Sequence, residues 1–253
     1  GKFDGPLGVI MGIDLLENLS QSKITLPFNI ELIAFCDEEG VRFQTTFLGS
    51  KAVSGTFDKN ILVKRDKHEI TLKEAIYSIG VDVTKIDKEV IPKDEWLGYF
   101  EIHIEQGPVL YQKNIPVALV AAIAGQCRVE ITFTGVAGHA GTVPMDMRKD
   151  ALCCASEFVQ ATEAFAFAHK DNLVATIGKL DIIHAASNVI PGKVVCSLDI
   201  RSADERILKS SIESVKRKCE EICNARNIIM TWKEILQTQP VICDAGLNTL
   251  LTQ

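Results

Sequence analysis

Residues 194–225, VVCSLDIRSADERILKSSIESVKRKCEEICNA, change hydrophobic period once, and that change decides how the C-terminal half is read. In VVCSLDIR, Cys196, Leu198 and Ile200 alternate with Ser197, Asp199 and Arg201, the pattern of a strand with one buried and one solvated face. From Asp204 onward the period lengthens: Ile207, Leu208, Ile212, Val215, Cys219 and Ile222 trace one face of a helix over 204–225. Upstream, RVEITFT (128–134) predicts a strand, 150–168 a helix and 173–182 a second strand; downstream, 228–234 predicts a last one. The order is β-α-β-β-α-β, a split ferredoxin-like unit that closes into a compact domain by itself, here assigned to 125–235.

The sequence before this unit has a different character. Pro6 sits where a helix begins without losing a needed donor, and Val9, Ile10, Ile13, Leu16 and Leu19 follow at helical spacing. FNIELIAF (28–35) is a short apolar run of the kind a buried parallel strand shows, and it stops at the acidic turn Asp37-Glu38-Glu39-Gly40. In open α/β sheets, ligands bind at the carboxyl ends of strands, so these carboxylates stand in a chemically interesting place. YFEIHIEQG (99–107) and PVALVAAIAG (116–125) also predict strands, whereas 50–96 reads as a surface helix with loops. The fold expected is therefore α/β: a first domain over 1–124, the α+β unit inserted at 125–235, and a return to the first domain over 236–253. The chain starts at Gly1 rather than Met and stops at Leu-Thr-Gln within a helical pattern, so it reads as part of a longer protein.

Composition narrows the function classes. A chain of 253 residues, 47% of them hydrophobic, is long enough for a sizeable core. The net charge of −6, from 33 acidic and 27 basic residues without a long single-sign run, argues against nucleic-acid binding. No apolar stretch is long enough for a membrane span and GKFDGPLG is not a signal peptide, so a cytoplasmic location is expected. The eight cysteines form no CxxC pair and are expected to be structural thiols.

Three local features carry chemistry. In FCDEEGVRF (35–43), Glu38 and Glu39 project to different sides, so that one can ligate a metal while the other accepts a proton from water. In EIHIEQG (101–107), strand alternation puts Glu101, His103 and Glu105 on one face, an imidazole between two carboxylates. Asp4 lies in an Asp-Gly turn at a helix entrance. Taken singly, each has an ordinary structural explanation as a solvated turn, a strand histidine or a cap.

Together with KFDGPLGV (2–9), LGSKAVSG (48–55), EIHIEQGPVL (101–110), GVAGHAGTVPMDMRKDA (135–151) and SNVIPGKVVCSLDIR (187–201), these segments resemble, in order, the M20-type metallo-amidohydrolases. The branch is that of N-carbamoyl-L-amino acid hydrolases, allantoate amidohydrolases and β-ureidopropionases. The resemblance implies a metallo-exopeptidase-like catalytic domain with an inserted lid and dimerisation domain. It implies two divalent ions, Zn²⁺ or Mn²⁺, with Asp4 bridging them, Glu39 and His103 as further ligands, and Glu38 as general base. Gln106 would face the substrate, His139 would stabilise the oxyanion, Asn188 would contact the substrate and Arg201 would hold its carboxylate. The partners implied are a small ureido or amide carboxylate and a second copy of the chain.

The same comparison implies that an HxD segment belongs ahead of Gly1 and a GHDA-like segment after Gln253, each bringing one further metal-ligating histidine. His68, His169 and His184 stand in contexts that do not match and are not recruited. Gly138 precedes His139 where relatives often have Asn, and His184 stands where Pro is common. The alternatives to ureido hydrolysis are an M20 peptidase or deacylase, and a catalytically incompetent fragment that dimerises.

Overall fold

The computed structural model describes residues 2–252. The chain divides after Val117 into two compact units.

The first unit holds α1 (Pro6–Gln21), α2 (Leu48–Val53), α3 (Leu72–Ser78) and the short α4 (Val109–Gln112), joined by 3₁₀ turns and long extended segments. Pro6 opens α1 as anticipated, because its missing N–H is one the first turn leaves unpaired anyway. A reciprocal cap starts α3: Thr71 accepts from the Glu74 N–H, and the Glu74 carboxylate accepts from the Thr71 N–H at 2.7 Å. Leu72 and Ala75 of that helix close with Phe43 into a small core.

The expected strands at 28–35 and 99–107 do not form as ladders, and of 116–125 only Ala122–Ile123, with Gly125 at the start of the next strand, enters one. An apolar, extended run becomes a strand only when a second backbone offers it a row of donors and acceptors, and no described segment pairs with the first two. They are nevertheless held close to helices by glycines. A Cβ at Gly8 would lie 2.6 Å from the Ile102 carbonyl oxygen, one at Gly12 2.5 Å from the Leu32 side chain, and one at Gly49 2.7 Å from the Phe35 ring.

The second unit is built on a four-stranded antiparallel sheet of β2 (Gly125–Thr134), β4 (Val174–Ile182), β6 (Lys193–Ser202) and β7 (Ile229–Thr238), in the order β4-β6-β2-β7. Helices α5 (Ala151–Ala168) and α6 (Glu205–Ala225) pack on it, giving the β-α-β-β-α-β sequence of elements. Small pairs β1 (Ala122–Ile123) with β8 (Val241–Ile242), and β3 (Gly138–His139) with β5 (Val189–Ile190), flank it, and α7 (Ala245–Leu251) follows. Pairing of β1 with β8 groups 118–124 and the segment after 236 with this unit.

Alternation sets its core. Val129, Ile131 and Phe133 of β2 and Val194, Cys196, Leu198 and Ile200 of β6 are buried against Cys154, Ala155 and Phe158 of α5 and Leu208, Val215, Cys219 and Ile222 of α6. Phe133 meets Phe158 with ring centroids 5.8 Å apart and tilted by 51°, a favourable aromatic geometry. Asp150 and Asp204 start the two helices by accepting backbone N–H groups of their first turns. All eight cysteines are free, and Cys127, Cys154, Cys196, Cys219 and Cys223 are buried in the apolar layer, as structural thiols are. Among the described residues no helix is long and apolar enough to cross a membrane.

Candidate metal centre and substrate-binding residues

The acidic turn is shaped by backbone conformations that cost energy. Asp37 (φ 50°) and Phe47 (φ 63°) lie in the left-handed region, as does Gly40 (φ 68°), where a Cβ would sit 2.7 Å from the Thr45 backbone. The Phe47 N–H closes the loop on the Glu38 carbonyl at 2.9 Å. Nearby, the buried Asp66 carboxylate accepts from Arg42 Nε at 2.9 Å and from the His68 and Ile70 N–H groups, tying down the chain just after the turn. Glu38 and Glu39 are thereby presented from a fixed loop and remain exposed.

Opposite ends of the first unit's sequence meet at Asp4. Its Oδ2 accepts from Gln106 Nε2 at 2.6 Å, and its Oδ1 lies 3.4 Å from His103 Nε2. His103 Nδ1 lies 2.8 Å from the Ile104 carbonyl oxygen, which can only accept, so Nδ1 carries the hydrogen. In the neutral ring Nε2 is then a lone pair aimed at a carboxylate. Two acceptors face one another stably only when a proton or a metal ion lies between them, and a backbone carbonyl on the far nitrogen is the usual orienting partner of a metal-binding histidine. The mixed oxygen and imidazole donors suit Zn²⁺ or Mn²⁺. Among the described residues no three His, Cys, Asp or Glu side chains converge into one metal-holding group. Asp4 and His103 meet as a pair, and Glu39 is sensed through its charge on Glu38.

The Glu38 carboxyl is held above its ordinary value of 4.5, first by desolvation and then by the carboxylates of Glu39 and Glu101, with His103 opposing and Asp4 adding to the rise. Glu101 is itself fixed by the Tyr99 hydroxyl, which donates to it at 2.7 Å. Glu105, which alternation puts beside His103, instead accepts from the Val109 and Leu110 N–H groups and caps α4. Gln106, which the resemblance places against substrate, spends an amide N–H on Asp4 and adopts φ 56° to do so.

Helix α1 sets the Asp4–His103 separation, because Gly8 lets it approach the backbone at Ile102. Gly8→Val is expected to push the helix away from that carbonyl and to weaken any divalent-ion binding at the Asp4–His103 pair, tested with Zn²⁺, by about 10- to 100-fold, the range for losing an orienting contact. Calorimetric titration, with circular dichroism as the folding control, measures it; affinity equal to wild type contradicts the packing argument.

In the second unit, His139 and Asn188 come together because β3 pairs with β5: His139 is opposite Val189, and the Ala140 N–H donates to the Asn188 carbonyl at 2.9 Å. Arg201 emerges from β6 on the solvated face, where Asp199 accepts from its Nε at 2.7 Å and its Nη2 at 2.9 Å. Arg128, opposite Asp199 on β2, donates to the same carboxylate at 2.9 Å. Burial alone would raise the Asp199 carboxyl, but these guanidinium hydrogen bonds hold it below the usual carboxylate range. One carboxylate thus serves two cations. The Asp199–Arg201 alternation is legible in the sequence; the participation of Arg128 depends on strand register and is not.

The sequence fits the model of peptidase family M20/M25/M40 over residues 1–241. The chain belongs to this family. Allantoate deiminase 2 of Glycine max is 37% identical over 276 aligned residues that take in 99% of this chain and 56% of that protein. N-carbamoyl-L-amino-acid amidohydrolase of Pseudomonas sp. (strain NS671) is 34% identical over 256 aligned residues, covering 100% of this chain and 62% of that protein. The crystal structure of an amidase of the hydantoinase/carbamoylase family from Burkholderia multivorans superposes with a TM-score of 0.88 at 30% identity, over 100% of this chain and 61% of that one. The fold is thus the mixed α/β fold of M20 amidohydrolases, and the chain spans somewhat more than half the length of these relatives.

Proposed function

We propose that this M20 chain belongs to a metal-dependent amidohydrolase that cleaves a linear ureido or amide C–N bond in a carboxylate substrate, an N-carbamoyl-L-amino acid or allantoate. The observation that carries the reading is the meeting of Asp4 and His103, with Nε2 3.4 Å from the carboxylate and Nδ1 on the Ile104 carbonyl, an oxygen and imidazole pair that a proton or a divalent ion can bridge. Relatives named for these activities support the substrate class.

Asp4, Glu39 and His103 would hold the divalent ions, Zn²⁺ or Mn²⁺, which when bound acidify water and polarise the substrate carbonyl. Glu38 takes the proton from the attacking water and returns it to the departing nitrogen, a task suited to a carboxyl held above 4.5. Gln106 keeps Asp4 in place through its 2.6 Å hydrogen bond. His139 donates to the carbonyl oxygen as it becomes an oxyanion, while Asn188 and Arg201 bind the substrate, Arg201 through the substrate's carboxylate. The second unit serves as lid and as the surface through which two copies pair.

Ammonia release from N-carbamoyl-L-amino acids and from allantoate, by the metal-loaded gene product that carries this chain, is the direct assay. Dipeptide cleavage without turnover of any ureido acid would replace the reading with a peptidase. Within it, Arg201→Lys is expected to raise KM by about 10- to 100-fold with kcat little changed, since a charged hydrogen bond is lost from ground state and transition state alike. A drop in kcat at constant KM would place Arg201 in the chemical step instead.

A further inference from the structure

The loop after β3 is wound around His139. The Gly141 N–H donates to His139 Nδ1 at 3.0 Å, and the Thr142 and Val143 N–H groups reach its carbonyl oxygen at 3.3 and 3.2 Å. Donors of three successive residues therefore point inward, at the one histidine. The carbonyls of the same turn point the other way, and a single side chain collects them: Arg148 donates from Nη2 to the Ala140 carbonyl at 2.7 Å and from Nε to the Val143 carbonyl at 3.1 Å. The imidazole also rests against Gly141, where a Cβ would come within 3.2 Å of His139 Cε1.

An N–H that donates to Nδ1 needs a lone pair there, so in the neutral ring the hydrogen is on Nε2. We propose that Arg148 is a positioning residue that braces the 139–143 turn and thereby fixes His139 as the Nε2–H tautomer, a hydrogen-bond donor at its exposed edge. The proposal rests on the reading of His139 as the oxyanion donor and deepens it. An Nε2–H ring donates to a developing negative charge but cannot accept a proton at that nitrogen, which leaves proton transfer to Glu38. Arg148 does this without touching substrate: its fork satisfies two carbonyls that would otherwise turn to solvent and let the loop relax. Neither hydrogen bond is legible in the sequence, where Arg148 is only part of the PMDMRKDA run.

The test is a long-range ¹H–¹⁵N correlation spectrum of the 253-residue chain labelled with ¹⁵N-histidine, recorded at about pH 8, where an ordinary imidazole is neutral. For His139 the expected pattern is Nε2 in the protonated range and Nδ1 in the unprotonated range. In Arg148→Gln the two shifts should move toward a common average, with the β2 and β6 amide shifts of a separate, uniformly ¹⁵N-labelled sample unchanged as proof of folding. Arg148→Lys, which can still reach one carbonyl, should recover part of the separation. A protonated Nδ1 or an averaged pair in the wild-type chain overturns the proposal without need of any variant. So does a folded Arg148→Gln that keeps the single Nε2–H pattern. The readout is independent of turnover, so kcat of His139→Gln in the gene product tests the oxyanion role separately.

Discussion

Glu38→Gln is expected to lower kcat on ureido substrates by about 10²- to 10⁴-fold, the usual contribution of a general acid or base, while KM stays near wild type. Glutamine keeps the shape of the side chain on its fixed loop but cannot take a proton from water. A kcat within about tenfold of wild type would mean that the base is another group. The pH dependence offers a second check. Desolvation and the neighbouring carboxylates raise the folded-state pKa of Glu38 above 4.5, so without metal the folded chain binds this proton more tightly than the unfolded chain. The associated stability is complete below 4.5 and is lost as pH rises through the raised value. Divalent ions at Asp4 and His103 would add positive charge and draw the titration back down. Carboxyl ¹³C titration with and without Zn²⁺ reads both directions, and a Glu38 titration that Zn²⁺ leaves in place would separate this carboxylate from the metal centre.

Phe133→Ala is expected to destabilise the second unit by about 3–5 kcal/mol, since it removes a fully buried ring and leaves a cavity that sheet and helix cannot both collapse into. Phe133 is packed against Phe158, so the lost contact includes an aromatic pair. The strand it belongs to runs on through Thr134 into the loop that presents His139, so the loss should also loosen that loop. Chemical denaturation measures the first effect and amide exchange over 135–143 the second. A loss under about 1 kcal/mol would show that the core repacks around the gap.

The second unit was readable in the sequence because its signals are local. Period two in 194–201 and period 3.6 in 204–225 each require only one buried face, and Asp204 marks the boundary between them by capping the helix. The first unit is less legible, for a physical reason. FNIELIAF and YFEIHIEQG have the composition of strands, yet composition cannot supply the neighbouring backbone that turns an extended segment into a ladder. What holds them is the absence of side chains at Gly8, Gly12 and Gly49, a signal carried by the helices rather than by the segments themselves.

The candidate site divides in the same way. Asp4, Glu38, Glu39 and His103 were recognisable through motif context, whereas the Gln106–Asp4 hydrogen bond joins residues 102 positions apart and no local pattern announces it. Strand alternation puts Glu105 beside His103, but the chain turns there to start α4 and the carboxylate accepts from its first N–H groups instead. Nothing in the local sequence distinguishes Arg128 or Arg148. Their roles depend on strand register and loop closure, which emerge only when the chain is folded.

The sulfur atoms in the layer between sheet and helices make the second unit its own clock. Cys127, Cys154, Cys196, Cys219 and Cys223 are shut away from solvent, with Cys154 and Cys223 only 3.6 Å apart across α5 and α6, whereas Cys153 points outward on α5. A thiol reagent of molecular size can reach the hidden five only when the two helices lift from the sheet, so the rate at which they react counts openings of the domain, while the exposed Cys153, its thiol pushed up by burial and by Asp150, reacts in the same tube without any opening.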